Sequence, residues 1–155
     1  MNIKNKRQSL TNLILSAIIV ILAVLLVVSL RNGNYIPNDP NITGIIGGDQ
    51  SEDISDDEIV IQGFQSITVK AGQTRIDTYL VNSPKNNVGL LATVKLEDGT
   101  VLYESGVIPP GSAIYSIPIP NPLEKGEHNA TVEYTGYANG ERLNTTVLNV
   151  VIIAE

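Results

Sequence analysis

Three patterns of apolar and polar positions follow one another along the chain. From Leu13 to Leu30 nearly every residue is Leu, Ile, Val or Ala, and only Ser16 and Ser29 interrupt. A core helix would carry a polar stripe, whereas about 18 apolar residues without one match the hydrocarbon thickness of a bilayer. Taking in Leu10, Thr11 and Asn12, the pattern predicts a transmembrane helix over 10–30. Residues 31–58 show no sustained period and are rich in Gly, Asn, Pro and Asp, a composition that predicts a flexible stalk. A coil of that size would span on the order of 30 Å.

From Ile59 onward the period becomes two, with turn signals every eight to twelve residues. Strands are expected over 59–62 with 66–70, 74–81, 89–97, 101–104, 113–117, 129–138 and 143–153. Leu90, Ala92, Val94 and Leu96 should face one way, with Leu91, Thr93, Lys95 and Glu97 opposite; Ala130, Val132 and Tyr134 likewise oppose Thr131, Glu133 and Thr135. Asp98-Gly99 and Asn139-Gly140 are hairpin signals of the type I′ kind, in which both central residues take positive φ. The end of the last strand is apolar on both faces, as in a central or covered strand. Seven short antiparallel strands over 59–155 suit a two-sheet sandwich. The expected fold class is therefore all-β, a seven-stranded antiparallel sandwich preceded by one N-terminal transmembrane helix.

Charge divides along the same boundaries. The chain has 155 residues and a net charge of −6. Lys4, Lys6, Arg7 and Arg31 give the first 31 residues about +4 with no acid, and seven carboxylates give 32–58 about −7 with no base. The sandwich segment holds the remaining −3 or so. Basic residues before the apolar run and acidic ones after it predict a basic cytoplasmic tail at 1–9, an uncleaved signal anchor at 10–30 and an extracytoplasmic C-terminal domain. A cleaved signal peptide is the competing reading, but the run is longer than the usual h-region and no A-x-A site follows it.

Several chemistries are removed by composition. No Cys is present, so disulfides, zinc-thiolate sites and thiol catalysis are excluded. The acidic balance speaks against nucleic acid. The cluster Asp49, Glu52, Asp53, Asp56, Asp57, Glu58 fails the EF-hand pattern, because Ile54 and Val60 stand where Gly and Glu are required. One His, His128, and no G-x-S-x-G elbow leave no basis for a hydrolase. No enzyme, metal or cofactor is expected. The tyrosines of the β segment are the remaining candidates, since exposed rings stack on sugars or anchor proteins. Tyr115, flanked by Pro109-Pro110-Gly111 and Pro118-Ile119-Pro120, and Tyr103 are the candidate partner-facing rings, with Pro109 and Pro110 marking a sheet edge.

The segment Pro122-Leu123-Glu124-Lys125-Gly126-Glu127-His128-Asn129-Ala130-Thr131-Val132-Glu133-Tyr134 is similar to the L-x-x-G-x-Y-x-A-x-V approach to the penultimate strand of bacterial immunoglobulin-like and fibronectin type III-like surface domains, with His128 at the Tyr position. The run from Val94 to Gly106, followed by Ile108 to Ala113, also resembles small membrane-anchored proteins of Gram-positive bacteria. The resemblance implies an Ig-like domain displayed outside the cell. It further implies a non-enzymatic structural or interaction subunit of an envelope assembly for secretion, conjugation or adhesion, with the membrane and other envelope proteins as partners. A stand-alone module binding cell-wall carbohydrate or peptide is the alternative.

Overall fold

The computed structural model describes residues 3–32, 35–46 and 59–155, with helix side chains described over 12–26. Two units are separate in it, 1–35 and 36–155. The first holds helix α1, Ile3–Asn32. Among the described residues no helix is long and apolar enough to cross a membrane. This corrects the transmembrane helix over 10–30, the signal anchor, and the single-pass placement with a cytoplasmic N-terminus and an extracytoplasmic domain.

The described residues of the second unit form strands and the loops that join them. Its strands are β1 (Gly44–Ile45), β2 (Ser66–Val69), β3 (Arg75–Val81), β4 (Gly89–Leu96), β5 (Val101–Glu104), β6 (Ser112–Pro118), β7 (Gly126–Ala138) and β8 (Glu141–Ala154). They form a three-stranded sheet ordered β1-β6-β3 and a five-stranded sheet ordered β2-β8-β7-β4-β5. In place of the expected seven antiparallel strands the described residues form eight, and β2 runs parallel to β8, from Ser66 opposite Val151 to Val69 opposite Ala154. Parallel pairing needs no hairpin, and here the first strand of the large sheet lies beside the last. The expected strand at 59–62 is reduced to a single bridge, Ile61 with Asn82.

Alternation builds the core as the pattern requires. Leu90, Ala92 and Val94 of β4, Ala130, Val132 and Tyr134 of β7, and Val150, Ile152 and Ala154 of β8 point inward against Ile76 and Leu80 of β3 and Ile114 and Ile117 of β6. Each Leu, Ile or Val among them contributes about 1.5–3 kcal/mol by leaving water. The apolar run at the end of β8 is explained by its place between β7 and β2, where Val151 and Ile153 are half-buried on the outer face.

The two hairpin signals resolve differently. Asn139 (φ 54°) and Gly140 (φ 82°) both take the left-handed conformation between paired Ala138 and Glu141, which is the type I′ geometry. At the other turn only Gly99 (φ 87°) does so. Asp98 instead uses its carboxylate to accept the Thr100 N–H at 2.8 Å, and these bonds hold its pKa below the ordinary carboxylate value. That loop is longer, and the β4–β5 register shifts after Val94.

Residues 36–46, expected within the stalk, are built onto the sandwich instead. Asn38 bridges Val107, and β1 pairs with β6, Gly44 opposite Ala113 and Ile45 opposite Ser112. The folded unit therefore starts near Ile36, not at 59. The acidic cluster from Asp49 to Glu58 lies outside the described residues.

Candidate functional site

Strand β3 carries a bulge. Asp77 pairs with Ser116 and Leu80 with Ile114, so Thr78 and Tyr79 together oppose the single residue Tyr115. An extra residue in a strand re-aims the side chains around it. Here Leu80 still reaches the core while Tyr79 turns outward beside Tyr115. The two rings stack with centroids 5.6 Å apart and planes inclined by 29°. Tyr79 is 37% exposed and Tyr115 39%. Ser116 lies one pair further along, opposite Asp77, and the guanidinium of Arg75, opposite Pro118, donates to Ser116 Oγ (3.2 Å) and O (3.0 Å). At the other end a Cβ on Gly44 would run into the Tyr115 ring, so that ring lies directly over the backbone of β1.

The prolines named with Tyr115 shape the entry to this sheet. Ser112 N–H donates to Pro109 O (3.1 Å) and Gly111 has φ 72°, a tight turn with Pro110 and Gly111 at its centre. It delivers the chain into β6. The prolines do not mark an edge, because β6 is the middle strand of its sheet, flanked by β1 and β3.

Tyr103 is not partner-facing. It is 8% exposed, and its hydroxyl donates to Asp39 Oδ2 at 2.6 Å. The same oxygen accepts the Gly106 N–H (2.7 Å), Oδ1 accepts the Asn41 N–H (2.7 Å), and Asn41 Nδ2 donates to the Tyr103 oxygen (3.1 Å). Burial, and then the bond to Asp39, push the Tyr103 phenol above its ordinary pKa. This cluster is a clasp for the segment ahead of β1.

Other polar groups are likewise engaged. His128 Nε2 lies 2.8 Å from Glu124 O. A carbonyl can only accept, so that nitrogen carries the proton, and the bond runs four residues back to the loop ahead of β7. Two open depressions, of about 300 and 410 Å³, share Glu97 and Asn129 near this corner. Asn129 Nδ2 donates to Glu97 there (3.0 Å), and no group of three metal-ligating side chains exists among the described residues.

The chain matches no protein-family model, no curated protein and no solved structure. The sequence pattern weighs Tyr79 with the other tyrosines of the β segment but does not place it beside Tyr115, since a bulge leaves no mark in a period of two. It also missed Asp39, whose Pro- and Asn-rich surroundings resemble a linker.

Proposed function

We propose that this chain is a non-enzymatic interaction module that docks a protein partner on the outer face of its three-stranded sheet. The Tyr79–Tyr115 pair carries the reading. Two rings held in one stack by a bulge lose little further conformational freedom when a partner covers them. Each offers a large apolar area with a polar tip, the combination enriched at the energetic centres of interfaces. Arg75 and Asp77 on the same face supply charge around it. The resemblance to bacterial surface domains, many of which serve as assembly parts, supports the same reading.

The test is capture of partners by cross-linking and mass spectrometry with the full chain, followed by binding measurements on Tyr79→Ala and Tyr115→Ala. Each substitution is expected to weaken binding roughly 30-fold, the effect of a central tyrosine worth about 2 kcal/mol. Affinity unchanged in both variants overturns the proposal. Saturable binding to isolated cell-wall glycan, lost in the same variants, would replace it with a carbohydrate-binding function.

A further inference from the structure

Composition decides where a one-electron oxidant acts on this chain. Thiols, thioethers and indoles are the side chains that give up electrons most readily, and here there is no Cys, no Trp and a single Met, at position 1. Oxidation of the sandwich therefore ends on its tyrosines. The fold divides the six phenols of the chain into classes. Tyr103 and Tyr134 are buried, and the Tyr103 hydroxyl is committed to Asp39. The Tyr137 oxygen accepts the Ile36 N–H at 2.9 Å. Tyr35 is 71% exposed and belongs to the first unit, apart from the sandwich. Tyr79 and Tyr115 are exposed and lie against one another, and among the described residues neither hydroxyl has a hydrogen-bond partner.

The geometry of this pair is that of two reactants already brought together. With centroids 5.6 Å apart and planes inclined by 29°, the ring edges are in carbon contact, at about 3.5–4 Å. The β3 bulge puts Tyr79 in that place, and the backbone of Gly44 supports the Tyr115 ring from the other side. We propose that Tyr79 and Tyr115 form a site of oxidative cross-linking, joined ring to ring as a dityrosine by a peroxide acting through a one-electron oxidant of the peroxidase class. Each phenol gives up one electron and one proton. The two phenoxyl radicals then pair their electrons in a new bond between the Cε of one ring and the Cε of the other. The hydrogen on each joined carbon moves to the oxygen of its own ring, which restores both aromatic systems. Two hydrogens have left in all, and one hydrogen peroxide accepts them to become two waters. A radical on either ring meets the other at a local concentration that no second molecule reaches, so coupling stays within the chain. The product fastens β3 to β6 across the bulge. It uses the rings that a protein partner would cover, yet it does not depend on such a partner.

The test treats the full-length chain with hydrogen peroxide and a haem peroxidase, beside a parallel sample of free tyrosine that confirms the oxidant is acting. The monomer, separated by size, is expected to gain dityrosine fluorescence and to lose the mass of two hydrogens. Digestion should yield one cross-linked peptide pair joining residues 79 and 115, in a yield per chain that does not fall on dilution. Tyr79→Phe and Tyr115→Phe keep the stacked rings but remove a phenol, so each should abolish the monomeric product. Tyr35→Phe should leave it unchanged, because coupling through that exposed ring joins separate chains. A monomer that keeps its native mass while free tyrosine is coupled overturns the proposal. So does monomeric dityrosine that survives in both the Tyr79→Phe and the Tyr115→Phe chains.

Discussion

Tyr103 donates its phenolic hydrogen to Asp39 Oδ2 across 2.6 Å, joining residues 64 positions apart in sequence. The pair fastens the chain ahead of β1 to strand β5, and it decides how much of the molecule is folded. Asp39→Ala leaves the Tyr103 hydroxyl and the Gly106 N–H buried without their acceptor, at a cost of about 2–3 kcal/mol. Tyr103→Phe removes the donor and keeps the ring, at about 1–2 kcal/mol. Urea denaturation should show the midpoint falling in that order, and proteolysis should open near residues 36–46 first. Equal midpoints for Asp39→Ala and the native chain would refute the clasp.

Alkaline titration should divide the six tyrosines. Tyr103 and Tyr134 are both held above the ordinary value of 10.0, in each case mainly by burial. The Tyr134 hydroxyl, facing the Val81 backbone, completes no hydrogen bond. A pKa raised on folding means that the neutral phenol is preferred in the native state. Stability from this source is therefore complete below pH 10 and is lost as pH climbs from there through the raised native values. Tyrosinate absorbance should show two late-titrating groups that ionise together with unfolding. Tyr134→Phe removes an unpaired hydroxyl, so it should leave neutral-pH stability within about 1 kcal/mol or raise it, and shift alkaline unfolding upward. Two early-titrating phenols at these positions would contradict the buried placement.

What the sequence disclosed and what it hid follow one physical division. Period-two alternation reports which face of a strand is buried, so β3 through β8 and inward residues such as Leu90, Val94, Val132 and Tyr134 could be read directly. Alternation carries no information about which strand lies beside which. The parallel partnership of Ser66–Val69 with Val151–Ala154 and the placement of β1 against β6 were therefore invisible. Asp39 was hidden for a different reason. A polar residue in a Pro- and Asn-rich stretch looks solvated, and only the distant Tyr103 and Gly106 turn it into a buried anchor. The apolar run from Leu13 predicted a bilayer span that the described helix does not supply.

The two turns offer a comparison within one molecule. Gly140 sits at φ 82° in the two-residue turn, where a Cβ is strained whatever the space around it. Gly140→Ala should cost about 1–2 kcal/mol, and Asn139→Gly should be within about 0.5 kcal/mol of neutral, because Asn already tolerates φ 54°. Thermal unfolding of the two variants measures the difference. Indistinguishable melting temperatures would mean that the β7–β8 turn contributes nothing to holding the hairpin.

Asn82 and Asn86 form the other buried polar link, and here the side-chain amide is needed rather than polarity alone. Asn86 accepts the Val60 N–H (2.7 Å) and donates to Val60 O (2.9 Å), imitating a strand partner, while the same Nδ2 donates to Asn82 Oδ1 (2.7 Å). Asn82 in turn donates to Val88 O and Ile108 O, tying the 82–88 loop to the start of β6's approach. Asn86→Ala should destabilise by about 2–4 kcal/mol, since several buried groups lose their partner at once. Asn86→Asp should be at least as harmful despite its nearly identical shape, because a carboxylate cannot donate to Val60 O or Asn82 Oδ1 and brings a charge into a buried site. Hydrogen exchange separates this from a general loss of stability. The Val60 amide should lose its protection in both variants under conditions where amides at the centre of β7 and β8 keep theirs. A Val60 amide that stays protected in Asn86→Asp would show that the amide pair does not hold the segment entering at Ile59.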